Sequence, residues 1–143
     1  MKATREDLVK ELGGCGIRPS VQRVAIMEYI RGHLTHPTVD EIYEALREAY
    51  PTLSRTTVYN TLKLLVDNRM ASQIETGNGY WRFDGNPEPH GHFVCNRCGQ
   101  IIDFPISSYP TCAIDGAEIQ QVDVCARGLC RNCIEIQKQK IIN

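Results

Sequence analysis

The sequence predicts an α+β protein built from two small modules, a winged helix followed by a cysteine-rich module. Three observations predict this fold class. Four segments with helical spacing of apolar residues occupy the first half of the chain. Two short extended runs joined through "GNG" follow them, and two Cys-x-x-Cys pairs lie in the last third. Helices followed by a hairpin are the order of a winged helix.

The composition is that of an ordinary globular protein, with 42% hydrophobic residues, 23% charged residues and a formal net charge of −1 over 143 residues. Modules this small are only marginally stable alone, so we expect each to be stabilised by a metal, a partner subunit or both. No run approaches the roughly 18 apolar residues of a membrane span, and the charged N-terminus lacks the apolar core of a secretory signal. We therefore expect a cytoplasmic protein without a membrane partner.

Each of the four predicted helices has a start or a stop signal. The first runs from Thr4 to Leu12 and ends at "GGCG". Ser20, Thr38 and Ser54 are placed to cap the next three, and Pro51 ends the third. The apolar residues at helical spacing are Val21, Val24, Ile26, Met27 and Ile30 in the second helix, Ile42, Ala45, Leu46 and Ala49 in the third, and Val58, Leu62 and Leu65 in the fourth.

The fourth helix is the candidate reader of a DNA major groove, because "YPTLSRT" before it has the length of a helix-turn-helix connection. The predicted DNA-binding residues are Ser54, Arg55, Thr56, Thr57, Tyr59 and Asn60 at the start of this helix, with Arg18, Arg23, Lys63 and Arg82 as phosphate contacts. The alternative is an amphipathic helix with a solvated polar face. Residues 1–84 hold 11 basic and 11 acidic residues. The DNA hypothesis therefore depends on their arrangement.

The two Cys-x-x-Cys pairs predict a structural zinc site. Cys95 and Cys98 form one pair, and Cys130 and Cys133 form the other after 31 intervening residues. Two such knuckles bring four thiolates to the corners of a tetrahedron, which structural Zn²⁺ prefers. The alternative is a redox-active dithiol pair. The remaining cysteines are expected to be small buried apolar residues, although Cys125 is close enough to Cys130 to leave open which thiols ligate.

A second set of donors is nitrogen and oxygen. His90 and His92 lie two residues apart in an extended segment, so their side chains share a face. Asp103 belongs to "QIIDF", a predicted strand that pairs with "HFVC" around the zinc knuckle. Asp84 ends the wing, and His36 precedes the third helix. A site drawing on all five would connect the two modules, although each residue alone also fits an ordinary surface, packing or capping role.

These motifs resemble the ferric uptake regulator family of bacterial metal-dependent repressors over nearly the whole chain. "GIRPSVQRVAIMEYI", "HPTVDEIYEAL", "LSRTTVYNTLKLLVDN", "RFD", "HGHFVCNRCGQIIDF" and the late "CRNC" run in the family's order and spacing. The resemblance implies a winged-helix DNA-binding domain at 1–84, a hinge at 85–90, and an α/β dimerisation and structural zinc domain at 91–143. It also implies a homodimer that binds a palindromic operator in double-stranded DNA.

Within the family the chain is most similar to the peroxide-sensing branch. That branch's regulatory Fe²⁺ or Mn²⁺ site uses three histidines and two aspartates, which match His36, Asp84, His90, His92 and Asp103. Iron-uptake regulators usually carry glutamate at the last of these positions. Many uptake regulators also carry an acidic or histidine residue between the paired histidines and further histidines downstream. Glycine stands between the pair here and no histidine follows it, so that additional site is expected to be missing.

The resemblance implies a repressor rather than an enzyme. Bound Fe²⁺ or Mn²⁺ enables DNA binding, and peroxide with Fe²⁺ oxidises a ligand histidine, His36 or His92, and so releases metal and DNA. The first alternative is an iron or other metal uptake regulator of the same family without peroxide chemistry. A non-haem iron enzyme would use two histidines and a carboxylate, but no β-rich scaffold for a co-substrate pocket is evident. A zinc module that binds DNA constitutively is the remaining alternative.

Overall fold

A computed structural model describes residues 3–77, 79–86, 88–106, 115–119 and 122–142. The chain divides into two compact units, Met1–Pro87 and Glu88–Asn143. This division lies inside the segment 85–90, whose role as a hinge stays a prediction. Among the described residues, no helix has the length and apolar character needed to cross a bilayer.

The first unit contains four helices, and the predicted caps of the last three are confirmed. The helices are α1 (Arg5–Gly14), α2 (Val21–Gly32), α3 (Val39–Leu46) and α4 (Arg55–Asp67). Ser20, Thr38 and Ser54 each accept a hydrogen bond from the backbone N–H three residues on, which satisfies one unpaired donor of the first turn. Thr4 caps α1 in the same way. The Asp7 carboxylate accepts a hydrogen bond from the backbone N–H of Thr4, which completes a capping box.

The inner face of α3 differs from the predicted one. Ala45 and Ala49 are exposed. Ala49 lies beyond the end of the helix at Leu46, and the packed face of the helix consists of larger side chains than Ala45. This face consists of Val39, Ile42, Tyr43 and Leu46, at the i, i+3, i+4, i+7 spacing of one helix face. Tyr43 covers more apolar surface than an alanine can, so burying it is the more favourable packing.

The core of the first unit lies between its helices and the wing. Val58, Leu62 and Leu65 of α4 are fully buried, as predicted. Ile26 of α2 and Phe83 of the wing are buried with them. Full burial of each such side chain contributes about 1.5–3 kcal/mol. The unit therefore has an apolar core of its own.

The wing is the predicted hairpin. Strands β1 (Ser72–Glu75) and β2 (Trp81–Asp84) pair antiparallel, with Ser72 opposite Asp84. Asn78 of the predicted Asn-Gly turn lies outside the described residues. Because β2 ends at Asp84, this carboxylate is held at the end of a hydrogen-bonded strand.

The second unit is a small mixed sheet with a C-terminal helix. Its elements are β3 (His90–Cys95), β4 (Ile101–Pro105), β5 (Cys125–Gly128) and α5 (Arg131–Ile142). The strand order is β4-β3-β5, with β3 antiparallel to β4 and parallel to β5. The predicted hairpin of "HFVC" with "QIIDF" is thereby confirmed. The zinc motifs lie at the end of β3 and around the start of α5.

Candidate metal centres and nucleic-acid surface

Four thiols of the second unit meet in one cluster. One sulfur from each of Cys95, Cys98, Cys130 and Cys133 lies within 4.8 Å of the others. The Sγ atoms of Cys98 and Cys130 are 3.7 Å apart. Four sulfurs at about 2.3 Å from a central Zn²⁺ would be about 3.8 Å apart at the edges of a regular tetrahedron. The cluster therefore fits structural zinc.

Backbone hydrogen bonds in this cluster favour the thiolate form of Cys95. The Sγ of Cys95 accepts from the N–H of Cys98 at 3.5 Å and of Cys130 at 3.4 Å. These two N–H groups lower the pKa of the Cys95 thiol to about 5. Burial raises the pKa of Cys133 to about 12, since a second thiolate in the same small space would be poorly solvated. A divalent cation at the centre would stabilise the thiolate form of all four.

The other described cysteines stay outside the cluster, and the expectation that they are buried is wrong. Cys15 is exposed at the C-cap of α1. Cys125 is exposed at the start of the edge strand β5. Its register places it opposite His92 and away from the knuckles. Cys112 lies outside the described residues.

The first unit holds one nitrogen and one oxygen donor side by side. His36 Nε2 lies 3.4 Å from Asp84 Oδ2, and the two side chains are 8% and 0% exposed. The other oxygen of Asp84 accepts from the N–H of Asn86 at 2.7 Å. A carboxylate this deeply buried needs a charged or hydrogen-bonding partner. The pair is therefore suited to sharing a proton or a metal ion.

His36 adopts a backbone conformation that few residues other than glycine take. Its φ is +57°, in the left-handed region. Such conformations cost about 1–3 kcal/mol and persist where the surroundings hold them, often at functional sites. Histidine is among the residue types that tolerate this region best. The ring is thus presented by a strained residue immediately before α3.

In the second unit, His92 lies close to two further donors. His90 Nε2 is 3.0 Å from His92 Nε2, and His92 Nε2 is 3.5 Å from Asp103 Oδ1. His92 and Asp103 are direct partners across β3 and β4. Two nitrogens bound at about 2.1 Å to one ion at a right angle are about 3.0 Å apart. The three side chains therefore fit the nitrogen and oxygen corner of a metal site.

Glycine between the two histidines has a steric cause. A Cβ on Gly91 would lie 2.4 Å from Cζ of Phe104, its cross-strand neighbour. The Phe104 ring covers the glycine and occupies the space of any side chain at that position. An acidic or imidazole ligand there would have to displace the ring. The absence of an additional metal site at this position stays a prediction.

Part of the predicted nucleic-acid surface forms a basic recess in the first unit. A cavity of about 380 Å³ is lined by Arg18, Ser20, Arg23, Thr57, Asn60 and Thr61. Four of these six residues were predicted from the sequence. Ser20 was recognised only as a helix cap, and Thr61 was missed because it reads as an ordinary interior helix position. Two guanidinium groups beside hydroxyl and amide groups suit a phosphate.

Other predicted DNA contacts are exposed along α4, with one qualification. Thr56, Asn60, Lys63 and the 46%-exposed Tyr59 are open to solvent. Arg55 is exposed as well, but its guanidinium forms hydrogen bonds with residues of α3. Arg55 Nε donates to Asp40 at 2.8 Å and Nη2 to Glu44 at 3.3 Å, and the guanidinium lies 4.3 Å from the Tyr43 ring centre.

A winged-helix unit, a four-thiol cluster that fits zinc and separate nitrogen and oxygen donors are typical of metal-responsive regulators. The ferric uptake regulator family model matches residues 14–124. The chain belongs to that family.

The chain is similar to curated and structurally characterised members of this family. It is 33% identical to the peroxide-responsive repressor PerR of Staphylococcus epidermidis over 135 residues, covering 91% of this chain and 90% of that protein. It is 40% identical to PerR of Staphylococcus aureus over 99 residues, 69% of this chain and 67% of that one.

Among solved structures it is similar to the Helicobacter pylori regulator Fur, with TM-score 0.68, 25% identity and coverage of 94% and 97%. It is also similar to the Streptococcus pyogenes PerR, with TM-score 0.55 and 30% identity, covering 92% of this chain and 94% of that chain.

Proposed function

We propose that this protein is a metal-dependent, peroxide-responsive transcriptional repressor that binds palindromic operator DNA as a homodimer. The observation that carries the proposal is the donor set of β3 and β4, where His92 faces Asp103 and the nitrogens of His90 and His92 are 3.0 Å apart. These donors are chemically distinct from the thiolates and suit a harder, more weakly bound ion. A repressor acts where the chromosome lies, so its proposed location is the cytoplasm.

The proposal gives the two donor chemistries different tasks. Cys95, Cys98, Cys130 and Cys133 hold a structural Zn²⁺ permanently. The regulatory ion takes three nitrogens and two oxygens from His36, Asp84, His90, His92 and Asp103. Because three of these belong to one unit and two to the other, binding would favour one arrangement of the units over others. A regulatory effect then requires differential affinity of about 1–3 kcal/mol between DNA-competent and incompetent states.

The residues around the regulatory ion also define how peroxide would be sensed. Five protein donors leave a six-coordinate ion with one open position. Fe²⁺ held by these residues would supply the redox chemistry that cleaves peroxide, which Mn²⁺ does far less readily. The imidazole of His36 or His92 would take one oxygen of the peroxide at a ring carbon, and the other oxygen would leave as water. Because an oxidised imidazole is a poor metal ligand, the site would bind its ion more weakly and the DNA-competent state would lose its stabilisation.

The experiment uses zinc-loaded protein and a DNA duplex selected by the Mn²⁺ form from a random library. The Fe²⁺ and Mn²⁺ forms are exposed to low peroxide, and DNA binding and peptide masses are measured together. We expect loss of DNA only from the Fe²⁺ form, with one added oxygen on the peptide carrying His36 or on that carrying His92. His33→Ala is the matched control, since His33 is an exposed histidine outside the donor sets. It should respond as wild type.

The same experiment separates the alternatives. If the Fe²⁺ form keeps its DNA and no histidine gains oxygen, peroxide sensing is contradicted and an iron-uptake regulator is left. The similarity to the H. pylori Fur structure at TM-score 0.68 is the observation that favours this second function. DNA binding that survives removal of the labile metal would contradict both.

A further inference from the structure

Arg82 of the wing contacts the segment that carries His36. Its Nη1 donates to the backbone carbonyl of His36 at 3.1 Å. The same nitrogen lies 3.6 Å from a carboxylate oxygen of Glu41 in the first turn of α3. The Arg82 side chain is only 29% exposed. Its guanidinium is therefore directed into the unit, although the sequence suggested a phosphate contact.

The backbone of the wing holds the same segment. The N–H of Phe83 donates to the carbonyl of Pro37 at 3.0 Å, and Thr38 forms an antiparallel bridge with Arg82. Strand β2 thus has β1 on one edge and the residues before α3 on the other. Pro37 has no N–H and cannot anchor the segment by donating a hydrogen bond. The contacts to the two carbonyls are correspondingly important.

His36 depends on such contacts because of its left-handed backbone, with φ of +57°. A non-glycine residue keeps this conformation only where its neighbours determine it. The Arg82 bond captures the carbonyl of the strained residue itself. Asp84, two residues along β2 from Arg82, lies on the same side of the strand and is 3.4 Å from the His36 ring. One strand therefore carries both a donor and the group that orients the other donor.

We propose that Arg82 is the positioning residue of the regulatory metal site and sets its affinity by holding His36 in the left-handed conformation. This inference rests on the proposed role of His36 as a regulatory ligand. Arg82 acts through the backbone of His36 and through the start of α3 and does not bind the metal.

The test measures Mn²⁺ binding to full-length, zinc-loaded protein by calorimetry in the absence of DNA. Arg82→Met removes the donors and keeps most of the side-chain length. We expect about a tenfold weaker Mn²⁺ affinity, equal to about 1.4 kcal/mol, with unchanged zinc content. Arg82→Lys, which can still donate to the carbonyl, should lose less than about threefold. Arg47→Met is the matched control, because Arg47 is an exposed arginine of the same unit whose partner is Glu44; it should bind as wild type.

A double-mutant comparison separates positioning from general destabilisation. In a His36→Ala background the carbonyl no longer orients a ligand, so adding Arg82→Met should change Mn²⁺ affinity by less than about twofold. An equal loss in both backgrounds would overturn the inference, as would wild-type affinity of Arg82→Met. If His36→Ala itself binds Mn²⁺ normally, the proposed ligand set fails as well. If His36→Ala is weakened and Arg82→Met is not, only the positioning role fails.

Discussion

At the scale of single residues, close contacts favour glycine at two positions near the predicted ligands. A Cβ on Gly85, immediately after Asp84, would lie 2.5 Å from the backbone oxygen of Ile30. A Cβ on Gly91, between the two histidines, would meet the Phe104 ring at 2.4 Å. The first obstacle is backbone and cannot move aside, whereas the second is the far end of a side chain. The two glycines are thus required to different degrees.

We predict that Gly91→Ala lowers the free energy of unfolding of the zinc-loaded protein by about 1–3 kcal/mol, the usual cost of forcing an extra carbon into a packed site. Thermal or denaturant unfolding measures it. Gly128→Ala is the control in the same sheet, because its Cβ would contact Phe93 at an ordinary 3.4 Å. Adding Phe104→Leu to Gly91→Ala should recover part of the loss. Equal stabilities of the two alanine variants would contradict this account of Gly91.

At the scale of elements, α3 and α4 are joined by the first residue of the candidate DNA-reading helix. The hydrogen bond from Arg55 to Asp40 raises the pKa of the Arg55 guanidinium above its usual value. Both side chains are more than half exposed, at 56% and 67%. Exposed ion pairs of this kind contribute little to stability, because water screens the two charges. DNA could therefore take Arg55 from its α3 partners at little cost.

We predict that Asp40→Asn raises the affinity of the Mn²⁺-loaded protein for duplex DNA by up to about fivefold, since the competing intramolecular partner is weakened. Fluorescence anisotropy at fixed ionic strength measures it. Glu48→Gln removes the same unit of negative charge from an exposed position just beyond α3 and serves as the control. If both variants gain DNA affinity equally, the effect is one of net charge, and competition between Asp40 and DNA for Arg55 is refuted.

At the scale of the whole molecule, the two units are stabilised by different means. The first unit buries an apolar cluster drawn from its helices and the wing. Among the described residues of the second unit, the buried hydrophobic cluster consists of Cys95, Cys130 and Cys133, with Phe93 packed against it. Small modules without a sizeable apolar core commonly obtain their folding free energy from a metal. Zinc is thus expected to matter to one unit far more than to the other.

We predict that Cys98→Ser abolishes stoichiometric zinc binding and unfolds the second unit, while the helices of the first remain. Two-dimensional ¹H–¹⁵N NMR and metal analysis of the full chain measure both. Cys125→Ser is the matched control, because Cys125 is likewise an exposed thiol of the second unit but lies outside the cluster. It should keep its zinc and its spectrum. Loss of all dispersed resonances in Cys98→Ser would contradict independent stabilisation of the units.

Much of this architecture could be read from local patterns. Helix caps such as Ser20 and Ser54 are local because their hydrogen bonds span three residues. The pairing of "HFVC" with "QIIDF" follows from a short connection between two strands. The inner face of α3 could not be read in this way. Whether Tyr43 or Ala45 packs inward depends on which neighbours lie alongside the helix, and periodicity alone does not contain that information.

By itself the sequence determined the kinds of donor and their spacing: two Cys-x-x-Cys knuckles, paired histidines, and one aspartate in each of two strands. Chemistry of this kind is local, because thiolate, imidazole and carboxylate keep their metal preferences in any fold. Tertiary structure decided which groups meet. It excluded Cys125 from the thiol cluster, directed Arg82 to the His36 carbonyl and placed the Phe104 ring over Gly91. These outcomes depend on how separate segments pack against one another.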